Sequence, residues 1–248
     1  MKGIILAGGN GTRLKPLTDV TNKHLLPVYN RPMIFYPIDT LKSIGIRDIT
    51  LITGREFAGE FADLLGEGYK FELEVTYKVQ EKALGIAHAL SIAQSTVGKD
   101  PSIVILGDNI FMLSASETDE MKKKISEFLK NPDGAMIFLK EVNDPERFGV
   151  AELDKNGDII NIEEKPKNPK SKYAVTGLYV YDNTVFSKIS RLKPSSRGEL
   201  ELTEVNGLYL KEGKLKYHIL KGDWTDAGTF DSLYRAGTLA KNLQNMNK

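Results

Sequence analysis

The sequence predicts an α/β fold in which helices cover both faces of a mainly parallel β-sheet. Short, continuously apolar segments such as Ile103–Leu106 are typical of strands buried on both faces. Amphipathic helical patterns alternate with these segments, as they do around parallel sheets. At 248 residues, the chain is long enough to bury one substantial core, and we expect a single domain over residues 1–248.

The first 140 residues carry this alternation most clearly. Phe57, Phe61, Leu64 and Leu65 recur at i, i+4, i+7 and i+8, which is the spacing of an amphipathic helix. The predicted strands are residues 4–6, 47–54, 71–79, 103–106 and 135–139, and the predicted helices are residues 32–44, 57–65, 86–97 and 121–129.

The pattern changes after residue 140. Asn156-Gly157 is a strong signal for a β-hairpin, here joining residues 149–153 to residues 159–163. Residues 174–181 are apolar on both faces and predict a central strand. The remaining predicted elements are helices over residues 184–192, 200–211 and 229–244 and a strand over residues 215–220.

Composition excludes several classes of protein. The chain has 34 basic and 33 acidic residues, so no overall charge attracts it to nucleic acid or to a membrane. It has no cysteine, which excludes disulfides and thiolate metal sites. It has neither the apolar run of a signal peptide nor the ~18 apolar residues of a membrane span. We therefore expect a cytoplasmic protein.

A glycine-rich loop follows the first predicted strand. Three glycines within residues 8–11 precede Thr12 and Arg13. Glycine lets the backbone approach a ligand closely and direct several N–H groups at one point. Such a loop at the carboxyl end of a buried strand suits phosphate. A tight turn without a ligand is the alternative, and Arg13 favours an anion site.

The wider sequence around this loop is more specific. Residues 9–14 begin like the dinucleotide pattern G-x-G-x-x-G, but Leu14 replaces the third glycine, and no P-loop pattern occurs. The string L-A-G-G-N-G-T-R-L, with Lys23 following in K-H-L-L-P-V, resembles the sugar nucleotidyltransferases. Within that family it is most similar to the short glucose-1-phosphate thymidylyltransferases. The resemblance extends over nearly the whole chain through at least five motifs.

This resemblance implies a Rossmann-like, mostly parallel mixed sheet with an inserted sugar-binding lobe. The implied reaction joins dTTP to α-D-glucose 1-phosphate and releases dTDP-glucose and pyrophosphate. Because two polyanions must meet, positioning and charge neutralisation are most of what the protein supplies. No general base is required, since a phosphate monoester with a second pKa of about 6 is already ionised.

Two aspartates are candidate metal ligands. Asp108 follows the apolar strand 103–106, at the edge of the sheet where ligands of open α/β folds bind, and carboxylates suit Mg²⁺. Asp226 lies in W-T-D-A-G-T. The structural alternatives are that Asp108 caps the next turn and that Asp226 caps the last helix, a role Thr229 could fill. The resemblance matches both to the family's magnesium ligands, implying Mg²⁺ as the cofactor.

A second group of candidates lies in the later half. Lys165, in I-E-E-K-P, would by itself be an ordinary solvated lysine, but with the following Y-A-V-T-G-L-Y it is similar to the family's sugar-phosphate segment. Arg197, in S-R-G-E-L-E-L-T, matches a further phosphate contact. Glu201 and Thr203 are as readily explained as part of the next helix.

Gln80 and Gly85 are the candidates for base recognition. A glutamine amide is both donor and acceptor, so it can pair with thymine or uracil. The segment Q-E-K-A-L-G-I-A-H-A departs from the proline-containing loop of longer relatives. One methyl group separates the two bases, typically ~1–3 kcal/mol, so only the resemblance favours dTTP over UTP.

The resemblance therefore implies overlapping sets of site residues. The catalytic residues would be Arg13, Lys23 and Lys165. The nucleotide would be bound by Leu6, Gly8, Gly9, Gly11, Thr12, Arg13, Lys23, Gln80, Gly85 and Asp108. The sugar phosphate would be bound by Asn109, Gly149, Glu164, Lys165, Val175 and Arg197, and the metal by Asp108 and Asp226.

Three alternatives remain at this stage. The first is the same chemistry with UTP or another sugar 1-phosphate. The second is a non-catalytic regulatory subunit, and the complete set of charges argues against it. The third is an NAD-dependent oxidoreductase, which the missing third glycine disfavours. Longer relatives continue into C-terminal helices that form a regulatory site and an oligomer interface, so we expect a homodimer or a monomer without tetramer-type feedback inhibition.

Overall fold

The protein is built on a nine-stranded mixed sheet with helices on both faces. The computed structural model describes residues 1–246 and the side chains of residues 1–243. The strands are β1 (Lys2–Ala7), β2 (Pro27–Val28), β3 (Arg31–Pro32), β4 (Asp48–Gly54), β5 (Glu74–Gln80), β6 (Ser102–Leu106), β7 (Asn109–Met112), β8 (Ala135–Glu141), β9 (Gly149–Leu153), β10 (Ile159–Glu164), β11 (Tyr173–Tyr181), β12 (Leu215–Ile219) and β13 (Asp223–Asp226). The helices are α1 (Phe35–Ser43), α2 (Ala58–Leu65), α3 (Ile86–Ile92), α4 (Gln94–Val97), α5 (Ala115–Leu129), α6 (Val185–Ile189), α7 (Leu202–Lys211) and α8 (Phe230–Met246). No helix among residues 1–246 is both long and apolar enough to cross a membrane.

The sheet has two halves of different character. Its strands run in the order β10-β9-β11-β6-β1-β4-β5, and β8 lies between β11 and β12. Strands β6, β1, β4 and β5 are parallel to their neighbours within that group, as the alternating pattern predicts. Strand β11 is antiparallel to β6, β8 and β9, and it is central as predicted. The hairpin of β9 and β10 is also confirmed, with a register irregularity after Ile159.

Strand β1 is the middle of the parallel half and is buried on both faces. Successive side chains alternate between two cores, because side chains point to opposite faces of a sheet. Ile5 packs in the core that includes residues of α1, α2 and α5. Ile4 and Leu6 pack in the other core, with residues of α3 and α7. This double burial fixes the carboxyl end of β1, from which the glycine loop emerges.

Several boundaries differ from the predicted ones for local reasons. The helix expected over residues 86–97 is divided into α3 and α4. The Ala93 N–H bonds to the Leu90 carbonyl, three residues back rather than four, and α3 ends at Ile92. Helix α7 begins at Leu202 rather than at residue 200. The Leu200 backbone donates its N–H to Leu84 and accepts from Ala87 instead.

An antiparallel ribbon of β7 and β13 was not predicted from the sequence. Its register places Asp226 opposite Asn109. Buried Glu117 on α5 accepts hydrogen bonds from the backbone N–H groups of Lys221 and Gly222, which fixes the chain just before β13. The ribbon thereby carries residues from the end of the chain to the carboxyl end of β6.

Candidate active site

Two adjoining cavities open at the carboxyl ends of β1 and β6. The loop chamber, of about 440 Å³, lies between the glycine loop, Gln80 and the start of α3. The lobe chamber, of about 200 Å³, lies between the β7–β13 ribbon, β9–β11 and the start of α7. Four residues border both chambers: Lys23, Ile86, Leu106 and Asp108. A ligand that fills both chambers must therefore pass alongside the Lys23–Asp108 pair.

The glycine loop is packed against the segment that carries Lys23. Gly11 has a φ of 61°, in the left-handed region that favours glycine. A Cβ at Gly11 would lie 2.8 Å from the Thr18 Cγ2 atom and 2.9 Å from the Lys23 Cβ atom. The Thr18 hydroxyl also donates a 2.9 Å hydrogen bond to the Gly11 carbonyl. Glycine at position 11 thus allows the loop and Lys23 to share one wall of the loop chamber.

Lys23 and Asp108 form an ion pair where the two chambers meet. The Lys23 Nζ and Asp108 Oδ2 atoms are 2.6 Å apart, and both side chains are 14% exposed. The Asn109 amide donates a 3.0 Å hydrogen bond to the other Asp108 oxygen. Burial acts to raise the pKa of Asp108, but the neighbouring groups, with the Lys23 ammonium foremost among them, together outweigh it and hold that pKa well below its usual range. Asp108 is therefore ionised at neutral pH.

His24 lies beside this ion pair and is buried. Burial, reinforced by the Lys23 charge, lowers the pKa of His24 to about 3, so the imidazole is neutral. Its Nδ1 atom is 2.7 Å from the Asn22 Oδ1 atom. Among the described side chains, no group of three or more His, Asp and Glu residues is arranged to hold a metal ion.

The ribbon brings Asp226 to the same place. Both Asp226 oxygens accept hydrogen bonds from the Arg147 Nη2 atom, at 2.8 and 2.9 Å. Burial raises the pKa of Asp226 above its usual value, and the negative charge of Asp108 raises it further, against the opposing effect of Arg147. Thr229 rather than Asp226 caps α8, because its hydroxyl accepts a 3.3 Å hydrogen bond from the Ser232 N–H.

Arg13 faces the ribbon from the glycine loop. A Cβ placed at Gly228 would lie 3.0 Å from both the Arg13 Nη2 atom and the Asp226 Oδ2 atom. Arg13 lines the lobe chamber and is exposed. Among the described residues it forms no ion pair within 4.0 Å, so its guanidinium is available to an anionic ligand.

Gln80 is held in one orientation at the far end of the loop chamber. Its Nε2 atom lies 2.9 Å from the His88 Nδ1 atom and 3.5 Å from the Gly85 carbonyl oxygen. Its Oε1 atom lies against the glycine loop, since a Cβ at Gly8 would be 2.5 Å from it. Gly85 has a φ of 105° and no room for a Cβ, which would lie 2.5 Å from the Leu200 nitrogen.

Glu164 is the centre of a polar network in the lobe chamber. It accepts a hydrogen bond from the Thr203 hydroxyl and lies 3.4 Å from Arg197 and 3.7 Å from the Lys165 Nζ atom. Lys165 has a φ of 45°, a left-handed backbone conformation that is uncommon outside glycine. Its backbone N–H is bonded to the Phe148 carbonyl at 2.9 Å. The hairpin end is therefore held so that the Lys165 side chain lines the chamber.

Arg197 is placed differently from the other predicted residues, since it lines neither chamber. Its Nη2 atom is 2.7 Å from the Glu201 Oε1 atom, and the Glu201 side chain is 3% exposed. Glu201, directly before α7, and Thr203, in its first turn, therefore both belong to the network. Their proximity to Glu164 comes from folding, and the sequence contained no signal for it.

The remaining predicted residues converge on the two chambers. The loop chamber is lined by Leu6, Gly8, Gly9, Gly11, Thr12, Lys23, Gln80, Gly85 and Asp108. The lobe chamber is lined by Arg13, Lys23, Asp108, Asn109, Gly149, Glu164, Lys165, Val175 and Asp226. Sequence reasoning missed Arg147, which also lines the lobe chamber, because a single arginine in D-P-E-R-F-G carries no motif.

Comparison with known proteins places this arrangement in a family. The family model described as nucleotidyl transferase matches residues 2–242. The chain is 46% identical to glucose-1-phosphate thymidylyltransferase of Neisseria meningitidis over 99% of this chain and 84% of the relative. It is 45% identical to the enzyme of the same name from Mycobacterium tuberculosis, over 98% and 83%.

Solved structures agree with this placement. A Bacillus anthracis protein, described as a candidate glucose-1-phosphate thymidylyltransferase in complex with sucrose, is 54% identical, with a TM-score of 0.90 over 98% of this chain and 96% of that one. A UDP-glucose pyrophosphorylase in complex with UDP-glucose shares the fold at 23% identity, with a TM-score of 0.83 over 97% and 98% of the two chains. The chain belongs to the nucleotidyl transferase family.

Proposed function

We propose that the protein transfers the thymidylyl group of dTTP to α-D-glucose 1-phosphate, giving dTDP-glucose and pyrophosphate. The observation that carries this proposal is the contact of two ligand-sized chambers at one ion pair, Lys23–Asp108. A nucleoside triphosphate fits the glycine loop, and a sugar phosphate fits the polar lobe. The names of the Neisseria and Mycobacterium relatives support the choice of these two substrates.

The proposed roles follow from where the charges lie. Arg13 would neutralise the reacting phosphate and the departing pyrophosphate, and Lys23 would orient the triphosphate. Lys165 would hold the phosphate of the sugar so that its oxygen faces the α-phosphorus. Lost donors of this kind typically cost about 2.7–4 kcal/mol of transition-state stabilisation.

A divalent metal fits Asp108 and Asp226. Each carboxylate borders the lobe chamber, and the charge of Asp108 raises the pKa of Asp226, a repulsion that a dication relieves. Mg²⁺ is usually held by one or two carboxylates together with substrate phosphates and water. When bound, it would supply positive charge to the reacting phosphates.

The orientation of Gln80 supports a thymine or uracil base. With Nε2 directed at His88 and Gly85, the Oε1 atom is the acceptor facing the glycine loop. Thymine and uracil each have an N3–H that can donate to such an acceptor, whereas cytosine has none at that position. The preference for thymine over uracil follows from the relatives alone.

Pyrophosphate release from each nucleoside triphosphate tests the proposal. The purified protein is mixed with Mg²⁺, glucose 1-phosphate and one triphosphate at a time. We expect release with dTTP. Release with UTP alone would replace the base assignment and leave the roles of the charged residues in place, and no release with any triphosphate would favour a non-catalytic binding protein.

We also propose that residues 1–248 act as one domain in a homodimer, which the molar mass in solution tests.

A further inference from the structure

Arg147 is bonded to Asp226, the carboxylate that the proposed function assigns to the metal. It ends the short 3₁₀ turn Pro145–Arg147 before β9, and its Nη2 atom bonds to both oxygens of Asp226. Its Nη1 atom bonds to Asp144 at 2.7 Å. The guanidinium also lies 5.0 Å from the centre of the Phe148 ring. Three partners therefore hold Arg147 in place.

The charges around this contact balance. Asp108 and Asp226 are matched by Lys23 and Arg147, so these four groups have no net formal charge. A dication approaching Asp226 would also be repelled by the guanidinium beside it, as like charges are at short distance. The free protein therefore offers weak attraction to a divalent cation, although two carboxylates border the same chamber.

Arg147 has a second carboxylate to retain and an open space to enter. If Asp226 is given up, the bond to Asp144 remains and keeps the guanidinium at the chamber. Arg147 lines the lobe chamber together with Lys165, and its side chain is 24% exposed. A guanidinium donates charge-assisted hydrogen bonds to phosphate oxygens, as it does to a carboxylate.

We propose that Arg147 exchanges partners: it holds Asp226 in the free protein and transfers its Nη2 donor to the phosphate of the sugar substrate when a divalent cation takes Asp226. This inference rests on the proposed function for the metal site and for the content of the lobe chamber. Arg147 is then the positioning residue that couples the two binding events. Coupling of this kind is reciprocal and typically amounts to about 5–150-fold in affinity.

Binding of Mn²⁺, followed by its electron paramagnetic resonance signal, tests the exchange without any turnover. Mn²⁺ is titrated into the wild type and into Arg147→Gln, each with and without glucose 1-phosphate. In the wild type, we expect the sugar phosphate to tighten Mn²⁺ binding at least fivefold. In Arg147→Gln, we expect tighter Mn²⁺ binding to the free protein and a coupling factor close to one. The inference would be overturned if Arg147→Gln, without the sugar phosphate, bound Mn²⁺ no more tightly than the wild type does and kept the wild-type coupling factor.

Arg235→Gln is the matched control. Arg235 also reaches Asp144, at 3.7 Å, and no ion pair joins it to Asp226 among the described residues. Arg235→Gln removes one positive charge from beside Asp144, as Arg147→Gln does, but it leaves the contact between Arg147 and Asp226 in place. We therefore expect wild-type Mn²⁺ affinity and wild-type coupling. A loss of coupling equal to that of Arg147→Gln would mean that overall charge, and not the exchange, sets the metal affinity.

Two further variants separate this inference from the proposed function. Asp226→Asn should lose Mn²⁺ binding in both conditions, and wild-type binding in that variant would contradict the metal site itself. Loss in Asp226→Asn without any change in Arg147→Gln would contradict the exchange alone. Arg147→Lys keeps the charge without the paired donors, so coupling should fall there also, even if Arg147→Gln does not fold. Full coupling in Arg147→Lys would overturn the inference.

Discussion

The loop chamber and the lobe chamber meet at Lys23–Asp108 but are built in different ways. The glycine loop borders the first with backbone. The second includes charged side chains that already have partners: Arg147 binds Asp226, and Glu201 binds Arg197, which itself lines neither chamber. The glycine-loop wall is therefore preformed, whereas the lobe chamber must exchange internal partners for its ligand.

This difference has an energetic consequence. A buried polar group that loses its partner costs about 1–3 kcal/mol unless the ligand replaces that partner. A ligand in the lobe chamber must therefore supply hydrogen-bonding groups in the right places, and a ligand lacking them is rejected. The backbone of the glycine loop imposes no such exchange on a triphosphate, and Lys23–Asp108 is the pair that both chambers share.

The largest effect is expected at Asp226, the proposed metal ligand in the lobe chamber. Asp226→Ala should lower kcat by at least about 10²–10³-fold, as loss of an electrostatic contact to the reacting centre typically does. The melting temperature should stay close to that of the wild type, because Arg147 retains Asp144. Pyrophosphate release in excess Mg²⁺ and thermal unfolding measure the two quantities.

Asp223→Ala is the control for Asp226→Ala. Asp223 begins the same strand, is exposed and lines neither chamber. It should leave kcat unchanged. Turnover near the wild-type rate in Asp226→Ala would remove that residue from the metal site.

An effect of comparable size but greater selectivity is expected at Lys165. Lys165→Ala should reduce kcat/KM for glucose 1-phosphate by about 10²–10³-fold, which is a loss of about 2.7–4 kcal/mol of transition-state stabilisation. KM for dTTP should change little, because the Lys165 side chain lines only the lobe chamber. Initial rates with each substrate varied in turn measure this. Exposed Lys167, changed to Ala, is the control. If KM for dTTP rose more than KM for glucose 1-phosphate, Lys165 would belong to the nucleotide.

The reverse selectivity is expected in the glycine loop. Gly11→Ala places a Cβ 2.9 Å from the Lys23 Cβ atom and forces a left-handed backbone that costs about 1–2 kcal/mol. KM for dTTP should rise more than KM for glucose 1-phosphate. Gly45→Ala has a similar backbone cost, with a φ of 90°, but its Cβ would contact nothing within 4 Å. It should lower the melting temperature without changing either KM, and equal kinetic effects in the two variants would contradict a rigid nucleotide-binding wall.

The smallest effect is expected from loosening the network in the lobe. Thr203→Val removes the hydroxyl that donates to Glu164. The loss should be about 1.5 kcal/mol, the low end for a hydrogen bond to a charged group, or roughly tenfold in KM for glucose 1-phosphate. Thr203→Ser keeps the donor and should behave like the wild type. Equal KM values for the Val and Ser variants would show that the hydroxyl does not orient Glu164.

Local patterns were sufficient to predict much of this molecule. The apolar run of β1, the amphipathic spacing in α2 and the turn at Asn156-Gly157 each depend on a few neighbouring residues, and each predicted element is present. The glycine loop follows from the same kind of local signal.

Contacts between distant residues could not be predicted in this way. The four-residue strands β7 and β13 are too short to show a period, and only their register brings Asp226 beside Asn109. Arg147 and Asp226 are 79 residues apart in the chain, and neither residue signals the other. Glu201 and Thr203 fit a helical pattern, which conceals that their side chains also reach the lobe chamber.

The small number of residues common to both chambers has an evolutionary consequence. Since Lys23, Ile86, Leu106 and Asp108 alone border both among the described residues, most positions around the base are remote from those around the sugar. Mutations that alter the choice of base can therefore accumulate separately from mutations that alter the choice of sugar. Such a layout lets a lineage diversify either half of its product while the bond-forming centre is inherited unchanged.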